Sequence, residues 1–346
     1  MLRKLATAIA LTLAVGTAAQ AASITGAGAT FPAPVYAKWA EDYKADTGTA
    51  LNYQAIGSGG GIKQIKAKTV DFGASDKPLK PADLEEAGLM QFPAVMGGVV
   101  PVVNIPGVKA GQIRLTGAQL GDIYRGVIKR WNDPLLARTN PGMKLPNLPI
   151  TVVHRSDGSG TTFLFTSYLV LQAPSWASQV GASDAVEWPT GVGGKGNDGV
   201  AAMVRQTPGS IGYVEYAYAK QNNLTHTLLR NKAGKFVAPT AANFAAAAAG
   251  ADWSKAPGYY LLLLDQPGAA AWPITGATFI LMYKKQDNPA AAAEVLKFFD
   301  WAYKNGDADA QNLDYVPMPA KVKAMVRGAW AAQIKGADGK AVYTSR

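Results

Sequence analysis

The chain contains no cysteine in its 346 residues. That excludes disulfides, thiolate nucleophiles, thiolate metal sites and a lipid-bearing cysteine behind a leader. Histidine is almost as scarce: only His154 and His226 occur, which leaves little for a histidine metal site. Lysine and arginine are scattered, as in Lys63, Lys66 and Lys68, Lys129 and Arg130, or Lys284 and Lys285. No block of five or six like charges forms and no nucleic-acid motif is present, so binding to DNA or RNA is not expected. There is no Walker A sequence, so any use of ATP belongs to a partner. No internal repeat is present, and no linker is long enough to divide the chain into a simple N-then-C pair of domains.

The N-terminus carries an address. Arg3 and Lys4 precede a stretch from Leu5 to Val15 that is apolar apart from Thr7 and Thr12, and Ala19-Gln20-Ala21 has the small-x-small pattern of a signal peptidase site. Its apolar core falls short of the ~20 residues that a membrane helix needs. Residues 1–21 are expected to be a signal peptide, with the mature chain beginning at Ala22 and residing in the periplasm. Cleavage removes two positive charges and no acid, so the formal charge of +10 falls to +8. Such a mild excess suits attraction of small anions. About 325 mature residues exceed what one core usually supports, so two lobes are expected.

Strand and helix signals alternate along the mature chain. Strands are expected at 51–56, 70–74, 97–105, 150–153, 211–214 and 277–283. Helices are expected at 35–43, 61–68, 162–169, 199–206 and 290–303, and the alanine run 245–249 is helix-prone. The pattern is that of an α/β chain. Most of the eight tryptophans are expected in the core or on lobe surfaces.

Three strand-to-helix junctions have the chemistry of an anion seat. In His154-Arg155-Ser156-Asp157-Gly158-Ser159-Gly160-Thr161-Thr162, a Gly/Ser/Thr turn presents free N–H groups and hydroxyls at a helix start. Arg155 adds a planar, permanently charged fork suited to an oxyanion, and Asp157 is close enough in sequence to hold it still. Thr25-Gly-Ala-Gly-Ala-Thr-Phe-Pro32 runs into the helix at 35–43, with Thr30 able to offer a hydroxyl and an N–H. Gly57-Ser58-Gly59-Gly60-Gly61 enters the helix at 61–68, where glycines let the backbone approach a ligand and Ser58 adds a hydroxyl. Each junction alone is also what an ordinary capped helix would show. Three together, beside one arginine, point to a small tetrahedral anion.

These residues carry a resemblance. The segments Thr25-Gly-Ala-Gly-Ala-Thr-Phe-Pro-Ala-Pro-Val-Tyr-Ala-Lys-Trp39, Asp71-Phe-Gly-Ala-Ser-Asp76, Arg155-Ser-Asp-Gly-Ser-Gly-Thr161, Gly196-Asn-Asp-Gly199, Ile211-Gly-Tyr-Val-Glu-Tyr216 and Leu296-Lys-Phe-Phe-Asp-Trp301 span nearly all of the mature chain. Together they closely resemble the phosphate-specific periplasmic binding proteins of bacterial Pst-type ABC transporters, the PstS family. The resemblance implies a two-lobe periplasmic binding protein fold of type II with a ligand cleft between the lobes. It implies one lobe from residues 22–104 plus 276–346 and the other from 105–275. It also implies a monomer, with no cofactor, that takes inorganic phosphate in its hydrogen and dihydrogen forms. The phosphate passes to the membrane permease of an ABC importer with its cytoplasmic ATPase.

The family's phosphate contacts carry over to Thr30, Phe31, Ser58, Asp76, Arg155, Ser159, Gly160 and Thr161, with Asp157 orienting Arg155. Phe31 would act through its backbone N–H. Asp76 would accept the proton of hydrogen phosphate, which explains a carboxylate beside an anion. His154 and Gly59 fill positions where relatives can differ.

Other classes are weaker. His154, Asp157 and Ser159 are the residue types of a hydrolase trio, but six consecutive residues on one turn rarely build the spatial relay. Some phosphate-binding relatives are reported with phosphatase activity, which keeps a secreted phosphatase as the alternative. A general anion or extracellular-matrix binder would show no preference for phosphate over sulfate. Gly191-x-Gly193-x-x-Gly196 and Gly194-x-Gly196-x-x-Gly199 fit the dinucleotide string, but 186–190 before them is a poor parallel strand, so no dinucleotide is expected.

Overall fold

The computed structural model describes residues 23–344. The expected signal peptide lies outside the described residues. Eight strands run side by side through one mixed sheet, in the order Ala50–Ala55, Ser23–Gly28, Phe72–Ser75, Ile274–Tyr283, Leu89–Val103, Ser210–Glu215, Thr151–Arg155 and Val192–Gly194. The outer strands pair in parallel with their neighbours: Ser23–Gly28 with Ala50–Ala55 and Phe72–Ser75, and Thr151–Arg155 with Ser210–Glu215 and Val192–Gly194. The two long central strands are antiparallel to each other. Helices lie between the strands in sequence, giving the two-lobe α/β fold.

The central strand Leu89–Val103 explains why no linker is visible in the sequence. All 15 of its residues are buried, as expected for a strand covered on both faces. Its first part pairs with Ile274–Tyr283 and its last part, from Val99, pairs with Ser210–Glu215. One strand therefore serves both halves of the sheet. The sequence expectation of a strand at 97–105 caught only its second half, because Pro93 broke the apparent run. The chain accommodates Pro93 opposite Phe279, where the register of the ladder shifts, the kind of irregularity that spares a missing N–H.

Two aromatic clusters fill the spaces on either side. Tyr36, Trp39, Phe72, Phe92, Phe299 and Trp330 pack in edge and stacked contacts in one. Tyr124, Phe165 and Tyr213 pack in the other, with the Phe165 and Tyr213 rings stacked at 4.2 Å. Six of the eight tryptophans are buried; Trp188 and Trp301 are half-buried. Among the described residues no helix is long and apolar enough to cross a membrane.

The helices start earlier than the periodic apolar pattern indicated. The helix expected from residue 61 begins at Ser58, and the one expected from 162 begins at Gly160. Glycines and hydroxyl residues weaken the apolar period, yet here they form the first turns. Gly61 needs to be glycine because a Cβ there would lie 2.5 Å from the Gly28 Cα. The helix is thereby drawn against the strand backbone.

Candidate functional site

Each of the parallel strands that points to the sheet centre ends beside a candidate residue. Gly28 leads to Thr30 and Phe31, Ala55 to Ser58, Ser75 to Asp76, and Arg155 to Asp157 through Thr161. Open α/β sheets bind ligands outside these carboxyl ends. The helices Ala33–Thr47, Ser58–Lys66 and Gly160–Gln172 all start there. Their unpaired N–H groups and dipoles favour a negative ligand.

The structure brings all the expected residues together, from both the early and the middle parts of the chain. Thr30, Phe31, Ser58, Asp76, Arg155, Ser159 and Thr161 are each at most 3% exposed. The Ser58 hydroxyl accepts from the Gly160 N–H at 3.0 Å and from the Asp76 N–H at 3.2 Å. The Gly59 N–H donates to the Gly158 carbonyl at 2.9 Å. Lys77 and Asp184 pair across the same divide at 2.6 Å. The cleft is therefore seen in a closed arrangement. Gly160 must be glycine here, because a Cβ would meet Asp76 Cβ and Ser58 Oγ at 2.6 Å.

Arg155 is held in a bidentate fork. Its Nε donates to Asp157 Oδ1 at 2.8 Å and its Nη2 to Asp157 Oδ2 at 2.6 Å. Both hydrogens of Nη1 and the second hydrogen of Nη2 remain to be given, and Nη1 lies 3.5 Å from Thr161 Oγ1. Burial alone would raise the Asp157 carboxyl. The Arg155 bonds and charge, with the Gly196 N–H, outweigh that and hold it below its usual range.

Asp76 has the opposite balance. Burial pushes its carboxyl up to about 7, although Thr278, the Arg155 charge and Ser58 pull it back. Its Oδ1 has no hydrogen-bond partner. The nearby hydroxyls of Thr278 and Tyr36 also lack a geometrically complete bond, so Thr278 tempers the charge of Asp76 without satisfying it. A buried acceptor left unpaired costs roughly 1–3 kcal/mol. The site thus consists of hydrogen donors facing one acceptor that lacks a hydrogen.

The supposed hydrolase trio does not assemble. His154 stacks on Trp188 at 4.7 Å and its Nδ1 meets the Arg155 carbonyl. Asp157 is occupied by Arg155, and Ser159 caps its helix by accepting from the Thr162 N–H at 3.0 Å. Among the described residues no cluster fit for a metal ion exists.

Comparison with known proteins decides the family. A phosphate-binding protein PstS of Pasteurella multocida is 53% identical over 94% of both chains. The chain belongs to the PstS family of phosphate-binding proteins. A PstS of Haemophilus influenzae is 54% identical over 94% of this chain and 97% of its own, and one from Methanocaldococcus jannaschii is 37% identical over 81% and 78%. The profile of the PBP superfamily domain matches residues 14–305. Solved structures agree on the fold. A high-affinity periplasmic phosphate-binding protein, PfluDING, bound with phosphate, superposes with TM-score 0.72 at 21% identity, covering 94% of this chain and 99% of that one. A phosphate-binding protein from Stenotrophomonas maltophilia gives 0.68 at 20% identity over 92% and 97%. The members matched are named as binding proteins rather than enzymes, and the phosphatase alternative has no support.

Four residues beside the site carry no signal of their role in the sequence: Asn197, Glu215, Tyr218 and Tyr315. Asn197 is wholly buried and bonds to Thr30 and Thr161. It opens the helix Gly196–Gln206, which follows the strand Val192–Gly194. The segment 186–190 is a poor strand, which excludes a dinucleotide motif, and the strand lies instead at Val192–Gly194. The glycine run is itself the strand and turn of a fourth helix start at the site.

Glu215 is also buried, and burial raises its carboxyl well above the usual range despite bonds from Tyr315 and backbone N–H groups. Tyr315 donates to the Phe31 carbonyl at 2.6 Å and lies 2.9 Å from Glu215 Oε2. Tyr218 donates to the Thr30 carbonyl at 2.7 Å. These contacts fix the Thr30-Phe31 turn from behind. Asn197 and Glu215 fall within the Gly196–Gly199 and Ile211–Tyr216 motifs, whereas Tyr218 and Tyr315 fall in none.

Proposed function

We propose that this chain binds inorganic phosphate, as hydrogen or dihydrogen phosphate, in the cleft just described. It would deliver the anion to the membrane permease of an ABC importer whose cytoplasmic ATPase supplies the energy. The observation that carries this reading is the pairing of the buried Arg155 fork and the helix starts with the buried carboxylate of Asp76, whose Oδ1 lacks a hydrogen. An anion bearing a proton satisfies both sides at once. A fully deprotonated anion would leave Asp76 facing a like charge.

Thr30, Ser58, Ser159 and Thr161 would give their hydroxyls, Phe31 and Gly160 their N–H groups, and Arg155 its free Nη1. Asp157 would hold that guanidinium in place. The protein would work as a monomer in the periplasm; the leader pattern and the name of a structural neighbour support the location. One lobe would comprise residues 22–104 and 276–346 and the other 105–275, hinged where the shared strand Leu89–Val103 passes between them. Equilibrium dialysis with labelled phosphate, competed by sulfate, tests the reading. Phosphate retention that excess sulfate cannot displace is expected; equal competition by sulfate would refute it.

A further inference from the structure

We infer that Asn197 is a positioning residue that sets the direction of the site's hydroxyl hydrogen bonds, turning the hydrogens of Thr30 and Thr161 toward the bound anion. The inference rests on the phosphate reading above.

The orientation of the Asn197 carboxamide is fixed by the backbone. The Glu215 N–H donates to Asn197 Oδ1 at 2.9 Å. That bond makes the other terminus the nitrogen and removes the usual ambiguity of an amide flip. Nδ2 then has two hydrogens to give. One goes to Thr30 Oγ1 at 2.7 Å and the other to Thr161 Oγ1 at 3.2 Å. The Asn197 backbone N–H adds a third bond, to Thr30 Oγ1 at 3.2 Å.

A hydroxyl has two lone pairs and one hydrogen. Both lone pairs of Thr30 are taken by Asn197. Those of Thr161 face Asn197 and, at the outer limit of 3.5 Å, Arg155 Nη1. Neither hydroxyl donates to a protein acceptor among the described residues, so each has only its hydrogen left to offer. Ser58 shows the same device with backbone groups, its lone pairs taken by the N–H groups of Asp76 and Gly160. The consequence is polarity fixed before the anion arrives. Ligand oxygens that accept are welcomed, and the proton on phosphate is left to Asp76. Because Thr30 comes from the early part of the chain and Asn197 from the middle, the arrangement is completed only on closure.

A double-mutant cycle separates positioning from support of the fold. Phosphate dissociation constants would be measured for the wild type, Asn197→Ala, Thr30→Val/Thr161→Val and the triple variant, with unfolding midpoints alongside. Asn197→Ala should weaken phosphate about tenfold in the wild type, about the worth of one net hydrogen bond. In the valine background, with no hydroxyl left to aim, the same change should cost less than about twofold.

Equal losses in both backgrounds, or no loss in the wild type, would overturn the inference while leaving phosphate binding standing. A wild type that does not bind phosphate would instead overturn the reading beneath it. Should Asn197→Ala not fold, Asn197→Asp serves. It keeps the acceptor for the Glu215 N–H but takes hydrogens from the threonines. Its loss should shrink in the valine background, whereas charge repulsion alone would persist there and refute the inference.

Discussion

Replacing Arg155 by alanine should weaken phosphate binding far more than it disturbs the fold. The Arg155 side chain is 1% exposed and its Asp157 partner 13%, so solvent screens neither charge to a useful degree. Removing the guanidinium takes away the charged donor that Nη1 presents and the two hydrogen bonds that Arg155 gives the Asp157 carboxylate, leaving it the Gly196 N–H at 3.1 Å. That carboxylate then stands beside the anion as a repulsive charge. Truncating one partner of such a buried pair costs roughly 2–5 kcal/mol. At about 1.4 kcal/mol per decade, this is a loss of roughly 30-fold to a few thousand-fold in affinity. Titration calorimetry at fixed pH and ionic strength would measure it, with circular dichroism to check the fold. The double variant Arg155→Ala/Asp157→Ala should bind better than Arg155→Ala, because the stranded charge is gone. Affinity within twofold of wild type in a folded Arg155→Ala protein would show that the fork does not face the ligand.

Asp76 gives two further expectations. Its folded carboxyl lies at about 7, above an unfolded value of about 3.9, so the proton stabilises the ligand-free closed form. That stability is fully present below about pH 4 and is lost as pH rises through about 7. Asp76→Asn, neutral throughout, should therefore gain stability over wild type at pH 8 but not at pH 4. Phosphate-free denaturant unfolding would show this, and an identical difference at both pH values would contradict it. The same substitution should narrow the preference for phosphate over sulfate, which sites built around one ligand hydrogen can hold near 10⁴–10⁵; competition titrations with an unchanged ratio would rule Asp76 out as the selector. Gly160→Ala should weaken phosphate at least about tenfold, since its methyl would meet Asp76 and Ser58 at 2.6 Å in a site with no room to give. Asp184→Ala breaks the part-exposed Lys77 pair and should raise the phosphate off-rate only about two- to threefold, with the on-rate little changed in stopped flow.

Much of the site was legible because its chemistry is local. Arg155, Asp157 and the Ser159-Gly160-Thr161 helix start lie within seven consecutive residues, and their geometry follows from one strand-to-turn-to-helix junction. Asp76 needed the family resemblance, since nothing near it in sequence says that it will be desolvated, whereas Ser58 showed in its glycine-rich junction. Asn197, Glu215 and Tyr315 stayed hidden because their roles exist only across long separations, such as the 284 residues between Tyr315 and Phe31. The long strand Leu89–Val103 was half-seen for a related reason. Pro93 reads as a break in isolation, and only the partner strand's register shift at Phe279 shows how it is tolerated. Helix starts were placed late because the glycines and hydroxyls that make them useful also interrupt the apolar period.

The pairing of a buried donor set with one carboxylate in need of a hydrogen makes one measurement decisive. Labelled phosphate would be dialysed to equilibrium against the wild-type protein at pH 7.5, with sulfate added in thousand-fold excess. Phosphate bound stoichiometrically and not displaced by that excess is the expected result. Displacement in proportion to sulfate concentration would contradict the role given to Asp76, and no retention of phosphate at all would contradict the function.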